Sequence, residues 1–243
     1  MINKYEKDII VSASLCDHKS LLNYASPFSL FMDIAGEHAP KINLGMLELL
    51  EKGLFWLTCK TKVKFISRPK MFDNVCIHTW PQAPQKIRCN RFYQILKGDD
   101  ILIEGKTEWA VIEINSGKLT KISDIYPTDL AHFEKEILPE PFEKMNEDFS
   151  SYTKVSEYNV RSVDIDLGNH MNNAVYSKII IGSFSCEQLN EINISQIEIA
   201  FKSPSYEKDV ISIHRKQEEG CYNFILTREN NQVVATAKIE FSK

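Results

Sequence analysis

The sequence predicts an α+β fold in which one unit is used twice, each copy a central helix packed on a curved antiparallel sheet, and three observations carry that expectation. Alternating β-type runs dominate 1–127 and 152–243. Both stretches read in the same order: a strand, a helix, then four strands. Residue identities also recur, since Phe65, Ser67, Asp73, Ile77 and His78 reappear as Phe201, Ser203, Asp209, Ile213 and His214, each 136 positions on. Asp17, Asn23 and Ala25 reappear 149 positions on as Asp166, Asn172 and Ala174, and an extra helix around Gly45 to Leu50 in the first copy accounts for the larger offset.

In the first copy, 8–14 reads as a strand. Ser26 and Pro27 open a helix reaching Glu37, with Ser26 as N-cap and Pro27 at the first helical position, where a missing N–H costs nothing. Phe28, Phe31, Met32 and Ala35 then fall at helical spacing. A second helix over 44–51 is stopped by Gly53. Strands follow at 54–67, 74–80, 86–96 and 100–114, with Lys97-Gly98-Asp99 as a turn. Residues 128–151 are acidic and proline-interrupted, and read as a linker with a short helix at its start. The second copy holds a strand over 154–163, a helix over 172–184, and strands over 193–203, 209–216, 221–228 and 232–241.

A chain of 243 residues can bury a sizeable core without disulfides or metal. Hydrophobic residues at 43% and charged residues at 26% exclude disorder, collagen and coiled coil. The net charge of −4 argues against a protein that works by gripping nucleic acid phosphates. That charge is unevenly spread: 17 basic and 14 acidic side chains in 1–127 give +3, while 12 and 19 in 128–243 give −7, so an acidic partner would prefer the first half. Six cysteines without a C-x-x-C pair read as free thiols in a reducing compartment, with Cys59 and Cys76 as small buried hydrophobes. The charged N-terminus shows no signal peptide and no run is long enough to span a membrane, so the expected address is cytoplasmic.

The densest polar cluster, Asp164 to Asn173, lies between a strand and a helix. Asp166, four residues before His170, can act as a general base toward water while the imidazole orients it or protonates the departing group. Asn172 and Asn173 can cap the helix, and its first amides can receive an oxygen that becomes negative during reaction. In the first copy the aspartate persists as Asp17 but Leu21 replaces His170, which confines the chemistry to the second copy. A metal held by Asp164, Asp166 and His170 lacks a neighbouring His or Cys to complete it, and no phosphate loop, G-x-S-x-G or H-E-x-x-H motif is present. No metal and no cofactor are expected.

Taken in order, Ala35-Gly36-Glu37-His38-Ala39, Gly53-Leu54-Phe55-Trp56-Leu57, Arg68-Pro69, His78-Thr79-Trp80-Pro81, Thr107-Glu108-Trp109-Ala110-Val111-Ile112 and Asp166 to Tyr176 (DLGNHMNNAVY) resemble successive signatures of the acyl-acyl carrier protein (acyl-ACP) thioesterases of plants and bacteria. The last is similar to the family motif D-x-N-x-H-V-N-N-x-x-Y, and the resemblance covers nearly the whole chain. It implies a tandem double hotdog and hydrolysis of the thioester between a fatty acyl chain and the phosphopantetheine arm of ACP, ending fatty acid synthesis. The motif's Asp, Asn and His fall on Asp166, Gly168 and His170. Gly168 departs from the pattern, and Asn169 is expected to supply the amide. Where the family places Glu or Glu-Cys downstream, this chain has Lys202-Ser203-Pro204-Ser205-Tyr206, with Glu207 the nearest acid.

The resemblance further implies an acyl pocket, for which Phe28, Leu30, Phe31, Met32, Ile34, Trp56 and Trp80 are candidates. It also implies docking of the acidic carrier protein, for which Lys60, Lys62, Lys64, Arg68 and Lys70 form a run without an acid. Two other readings stand beside it: a hotdog thioesterase acting on acyl-CoA, and a non-catalytic protein that binds acyl chains or acyl-ACP. A homodimer is open to such units through their edge strands, although internal duplication already supplies that pairing.

Overall fold

The computed structural model describes residues 3–242. The chain divides into two compact units, Met1–Glu140 and Pro141–Lys243. Unit 1 contains β1 (Tyr5–Ile10), α1 (Ser26–His38), α2 (Met46–Glu51), β2 (Leu54–Phe65), β3 (Asn74–Pro81), β4 (Cys89–Lys97), β5 (Asp100–Glu113) and β6 (Leu119–Thr120). Unit 2 contains β7 (Thr153–Asn159), α3 (Asn173–Ile181), α4 (Cys186–Asn190), β8 (Asn193–Phe201), β9 (Val210–Glu218), β10 (Cys221–Thr227) and β11 (Val233–Ser242).

Strand order repeats element by element. Unit 1 runs β1-β3-β4-β5-β2 and unit 2 runs β7-β9-β10-β11-β8, with antiparallel pairing within each. The backbone bonds repeat at the offsets of the sequence. Val11 N–H donates to Asp73 C=O (2.9 Å), as Val160 N–H does to Asp209 C=O (2.9 Å). Leu22 N–H donates to Pro69 C=O (2.9 Å), as Met171 N–H does to Ser205 C=O (2.7 Å).

α1 buries Phe28, Phe31, Ile34, Ala35 and His38, one face at helical spacing. Its position depends on Gly105, because a Cβ there would lie 2.2 Å from a ring carbon of Phe31. Phe31 in turn stacks on Tyr93 with centroids 4.5 Å apart. β4 and β5 are joined through Gly98 and Asp99, with Lys97 facing Asp100 and Gly98 at φ 60°, which the tight hairpin requires.

Several boundaries differ from expectation; among the larger shifts, the strand expected over 154–163 ends at Asn159 and the one expected from 86 starts at Cys89. The first strand starts at Tyr5 and ends at Ile10, after which Ala13–Leu15 forms a 3₁₀ turn. Ser26 is the first helical residue rather than the cap; its hydroxyl donates to Leu15 C=O (2.8 Å), and Asn23 Oδ1 accepts the Ala25 N–H (2.9 Å). The helix expected over 172–184 ends at Ile181, and α4 restarts behind a Ser185/Gln188 capping box. The segment 128–151 has no helix; its proline-interrupted chain lies extended over its own unit on either side of Glu140. Trp80 Nε1–H donates to Lys135 C=O (2.7 Å) in unit 1, and Glu143 N–H donates to Glu198 Oε1 (2.7 Å) in unit 2.

Candidate active site

The loop between β7 and α3 builds the site from its own backbone. Ile165 and Met171 pair as an isolated bridge, which closes 166–170 into a tight loop. Asp166 N–H donates to His170 C=O (3.0 Å), and Asn169 N–H donates to Asp166 C=O (3.0 Å). Asp166 Oδ1 accepts the Gly168 N–H (2.8 Å), an Asx turn that fixes the carboxylate. Oδ1 also lies 3.7 Å from His170 Nδ1, and the two side chains are 32% and 26% exposed. Asp166 and His170 are therefore held side by side and partly exposed. Asn169 sits at φ 59°, a left-handed conformation that asparagine tolerates. Ser20 takes φ 59° at the matching position of unit 1, so the first demand on residue 169 is conformational.

Asp164 anchors the loop. It is buried at 6% and accepts from Tyr158 Oη (2.7 Å), the Arg161 N–H (2.9 Å) and the Arg161 guanidinium (3.3 Å). Burial alone would raise its carboxyl, but the Arg161 backbone and guanidinium bonds and the Tyr158 hydroxyl outweigh it and hold the group below its ordinary value.

At the start of α3, Asn172 Oδ1 accepts the Ala174 N–H (2.8 Å), so Asn172 is the N-cap. The Asn172 amide donates to Asp164 C=O (2.8 Å) and cannot serve a reacting oxygen. That corrects the expectation of two helix-opening donors at 172 and 173: Asn173, at the first helical position, is left as the candidate amide. Tyr176, one turn on, is buried with its hydroxyl 2.9 Å from Ser205 Oγ.

Unit 1 shows the same loop disarmed. Asp17 makes the equivalent turn, accepting Lys19 N–H (2.9 Å) and Leu21 N–H (3.2 Å). Its Oδ2 lies 2.5 Å from Arg68 Nη1, and the guanidinium stacks 4.0 Å over Tyr24. Burial would raise Asp17, but the Arg68 bond and the loop amides hold it below the usual range. Adding 136 to 68 gives 204 and adding 149 to 24 gives 173, so Pro204 and Asn173 stand in unit 2 where Arg68 and Tyr24 stand in unit 1. The two copies of one loop thus differ in the aspartate's neighbour, an arginine in unit 1 and a histidine in unit 2.

That contrast was not visible in the linear motif, although the repeat offsets locate it. Nor was the exposed apolar rim of the loop: Val163 is 79% exposed, Leu167 64% and Tyr206 47%. Glu207 is exposed on the segment that follows Ser205.

The remaining candidates lie in unit 1. Of the pocket candidates, Leu30, Met32 and Ile34 border a 460 Å³ cavity, shared with Lys7, Ile9 and Ile77. Phe28 and Phe31 are core. Trp56 donates through Nε1 to Leu44 C=O (2.8 Å) and packs edge-on to Trp109. Trp80 is fully buried beneath Phe133 and Ile137 of the linker, which removes it from any open pocket. Of the docking candidates, Lys62 is 3% exposed and Arg68 is committed to Asp17, so neither offers charge to a partner. Lys60 is half-buried, while Lys64 and Lys70 are exposed.

Comparison with known proteins bears on the family and the fold. The family model of the acyl-ACP thioesterase N-terminal domain matches residues 3–128, and that of the C-terminal domain matches 148–243. An oleoyl-acyl carrier protein thioesterase of Coriandrum sativum chloroplasts is 20% identical over 200 residues, covering 75% of this chain and 54% of that protein. The chloroplastic thioesterase 1 of Arabidopsis thaliana is 21% identical over 170 residues, covering 65% and 47%. The chain spans about half the length of these relatives. Among solved structures, an acyl-ACP thioesterase from Bacteroides thetaiotaomicron superposes with TM-score 0.83 at 19% identity, over 99% of this chain and 98% of that one. The 12:0-ACP thioesterase of Umbellularia californica gives 0.82 at 16% identity, over 98% and 97%. These likenesses establish the fold as a double hotdog.

Proposed function

The chain belongs to the acyl-ACP thioesterase family, and from that premise we propose that it hydrolyses fatty acyl-ACP to a free fatty acid and the carrier's thiol. The observation that carries the proposal is the contrast between the two loops: Asp17 is tied to Arg68, whereas Asp166 stands beside His170 with Pro204 in the arginine's place.

In the reaction a water placed against Asp166 gives up a proton to the carboxylate as its oxygen attacks the thioester carbonyl. The carbonyl oxygen becomes negative and is received by the Asn173 amide and the positive end of α3. The C–S bond then breaks, and the thiolate leaves with the proton returned through His170. Because a thiolate is a good leaving group at neutral pH, the acid contributes less than the base and the oxyanion donor. Val163, Leu167 and Tyr206 offer an apolar surface beside the loop to the incoming arm. Lys64 and Lys70, with Lys60, form the revised docking surface for an acidic carrier.

The test is a panel of acyl-ACPs of graded chain length with matched acyl-CoAs, read as free thiol released. Turnover on ACP substrates with little on CoA supports the proposal. Preference for CoA selects the acyl-CoA reading, and acyl-ACP binding without thiol release selects the non-catalytic one.

A further inference from the structure

Outside this site, β1 and β3 place four metal-ligating residue types on one face of their ladder. The register sets Glu6 opposite His78 and Asp8 opposite Cys76. Cys76 and His78 are two apart on β3, so all four side chains leave the same face. Ligand atoms of Glu6, Cys76 and His78 all lie within 4.8 Å of one another. His78 Nε2 is 3.6 Å from Glu6 Oε1, and the Cys76 thiol donates to the Asp8 carboxylate. Contrary to the expectation of a buried hydrophobe, Cys76 is half-buried on the outward face, alternating with buried Val75 and Ile77.

We propose that Glu6, Cys76 and His78 form a binding site for a divalent transition-metal ion of the zinc class, with Asp8 outside the ligand set as hydrogen-bond partner of the sulfur. Ligands around a tetrahedral zinc at about 2.0–2.3 Å sit roughly 3.3–3.8 Å from each other, so the Glu6–His78 pair already fits and the rest closes by side-chain rotation. One sulfur, one imidazole and one carboxylate, with the fourth position left to water, select zinc, cobalt or ferrous ion over magnesium or calcium. Binding converts Cys76 S–H to a metal–sulfur bond and releases the proton to solvent. Among the described residues, Lys4 and Lys135 are the cations that act on the cluster. Lys4 pairs with Glu6 at 2.5 Å and must swing away, and Lys135 lies near enough to disfavour a charged His78.

The placement gives the metal a consequence. β1 is the edge strand of its unit, and a bound ion would fasten it to β3. The opposite face of the same two strands presents Lys7, Ile9 and Ile77 to the 460 Å³ cavity beside α1, so the ion would stiffen that wall.

The experiment titrates the reduced, metal-stripped full chain with Co(II), followed by absorbance, and measures zinc affinity by competition. The expected result is one Co(II) per chain with tetrahedral visible bands and a sulfur-to-cobalt charge-transfer band. Cys76→Ser abolishes the charge-transfer band and Cys59→Ser leaves it. His78→Ala and Glu6→Gln each weaken zinc at least about tenfold, the smallest loss seen even for groups outside the ligand shell. Lys4→Met tightens binding by removing the competing cation. Zinc also raises the thermal midpoint of the wild type but not of Cys76→Ser. Absence of stoichiometric binding would overturn the proposal, as would a charge-transfer band that survives Cys76→Ser while that variant melts like the wild type.

Discussion

Replacing Pro204 by arginine should convert the unit 2 loop into a copy of the unit 1 loop. In unit 1, Arg68 reaches Asp17 at 2.5 Å and also donates to Leu22 C=O (3.1 Å), the residue whose N–H bonds Pro69. Met171 and Ser205 reproduce that backbone bond, and Pro204 is exposed, so an arginine at 204 has both the starting point and the room to reach Asp166. An opposite charge at such range lowers a carboxyl pKa by about 1–3 units, or about 1.4–4 kcal/mol of proton affinity. Expressed fully in the transition state, that is about ten- to a thousandfold in kcat, since a weaker base takes the water proton less readily. The assay is kcat against pH on the best acyl-ACP substrate for wild type, Pro204→Arg and Pro204→Gln. Pro204→Arg should lower the plateau and shift the acid limb to lower pH, while Pro204→Gln stays near wild type. A shifted acid limb with an unchanged plateau would refute the assignment of Asp166 as base. An equal fall in Pro204→Gln would show that the proline itself, not the missing charge, matters.

Three further outcomes follow from the packing. Burial, with Arg91 and Lys41 nearby, depresses His38 to about 3, whereas the unfolded chain protonates near 6.5. The unfolded state therefore takes up the proton first, and stability falls as pH drops from about 6.5 toward 3, by on the order of 5 kcal/mol at most; melting curves from pH 7 to 4 should show a shallower decline in His38→Gln. Gly105→Ala should cost about 1–3 kcal/mol in urea unfolding by overpacking Phe31, with Phe31→Leu recovering part of the loss. Asn172→Ala removes the α3 cap and should cost about 1 kcal/mol of stability while lowering kcat, because the Asn173 donor loses its fixed position.

The fold was legible because its signals are local. Alternation, turn glycines and the 136- and 149-residue offsets name the strands and pair the units, and the backbone bonds of Val11 and Val160 repeat at those offsets. The Asp166-to-Asn173 loop was legible for the same reason, as a short polar run between a strand and a helix. What the sequence concealed depends on partners far along the chain. The apolar run continues through Phe184, so the helix reads to 184, whereas α3 ends at Ile181 and the turn at Gly182 and Ser183 leads into α4, a separate short helix. Lys62 looks like one of an exposed alternating series, yet it faces Lys106 across β2 and β5 and is buried. Asp17 and Arg68, 51 positions apart, meet only once the sheet has formed. Glu6 and His78 become neighbours only through the β1–β3 register.

The most direct test of the account is thiol release from acyl-ACP by wild type and Asp166→Asn, each shown to melt at the same temperature. Asn keeps the size and most hydrogen bonds of the loop but cannot take a proton from water, so the account predicts a loss of at least about a hundredfold in kcat. A variant that retains activity within a few-fold of wild type would contradict it.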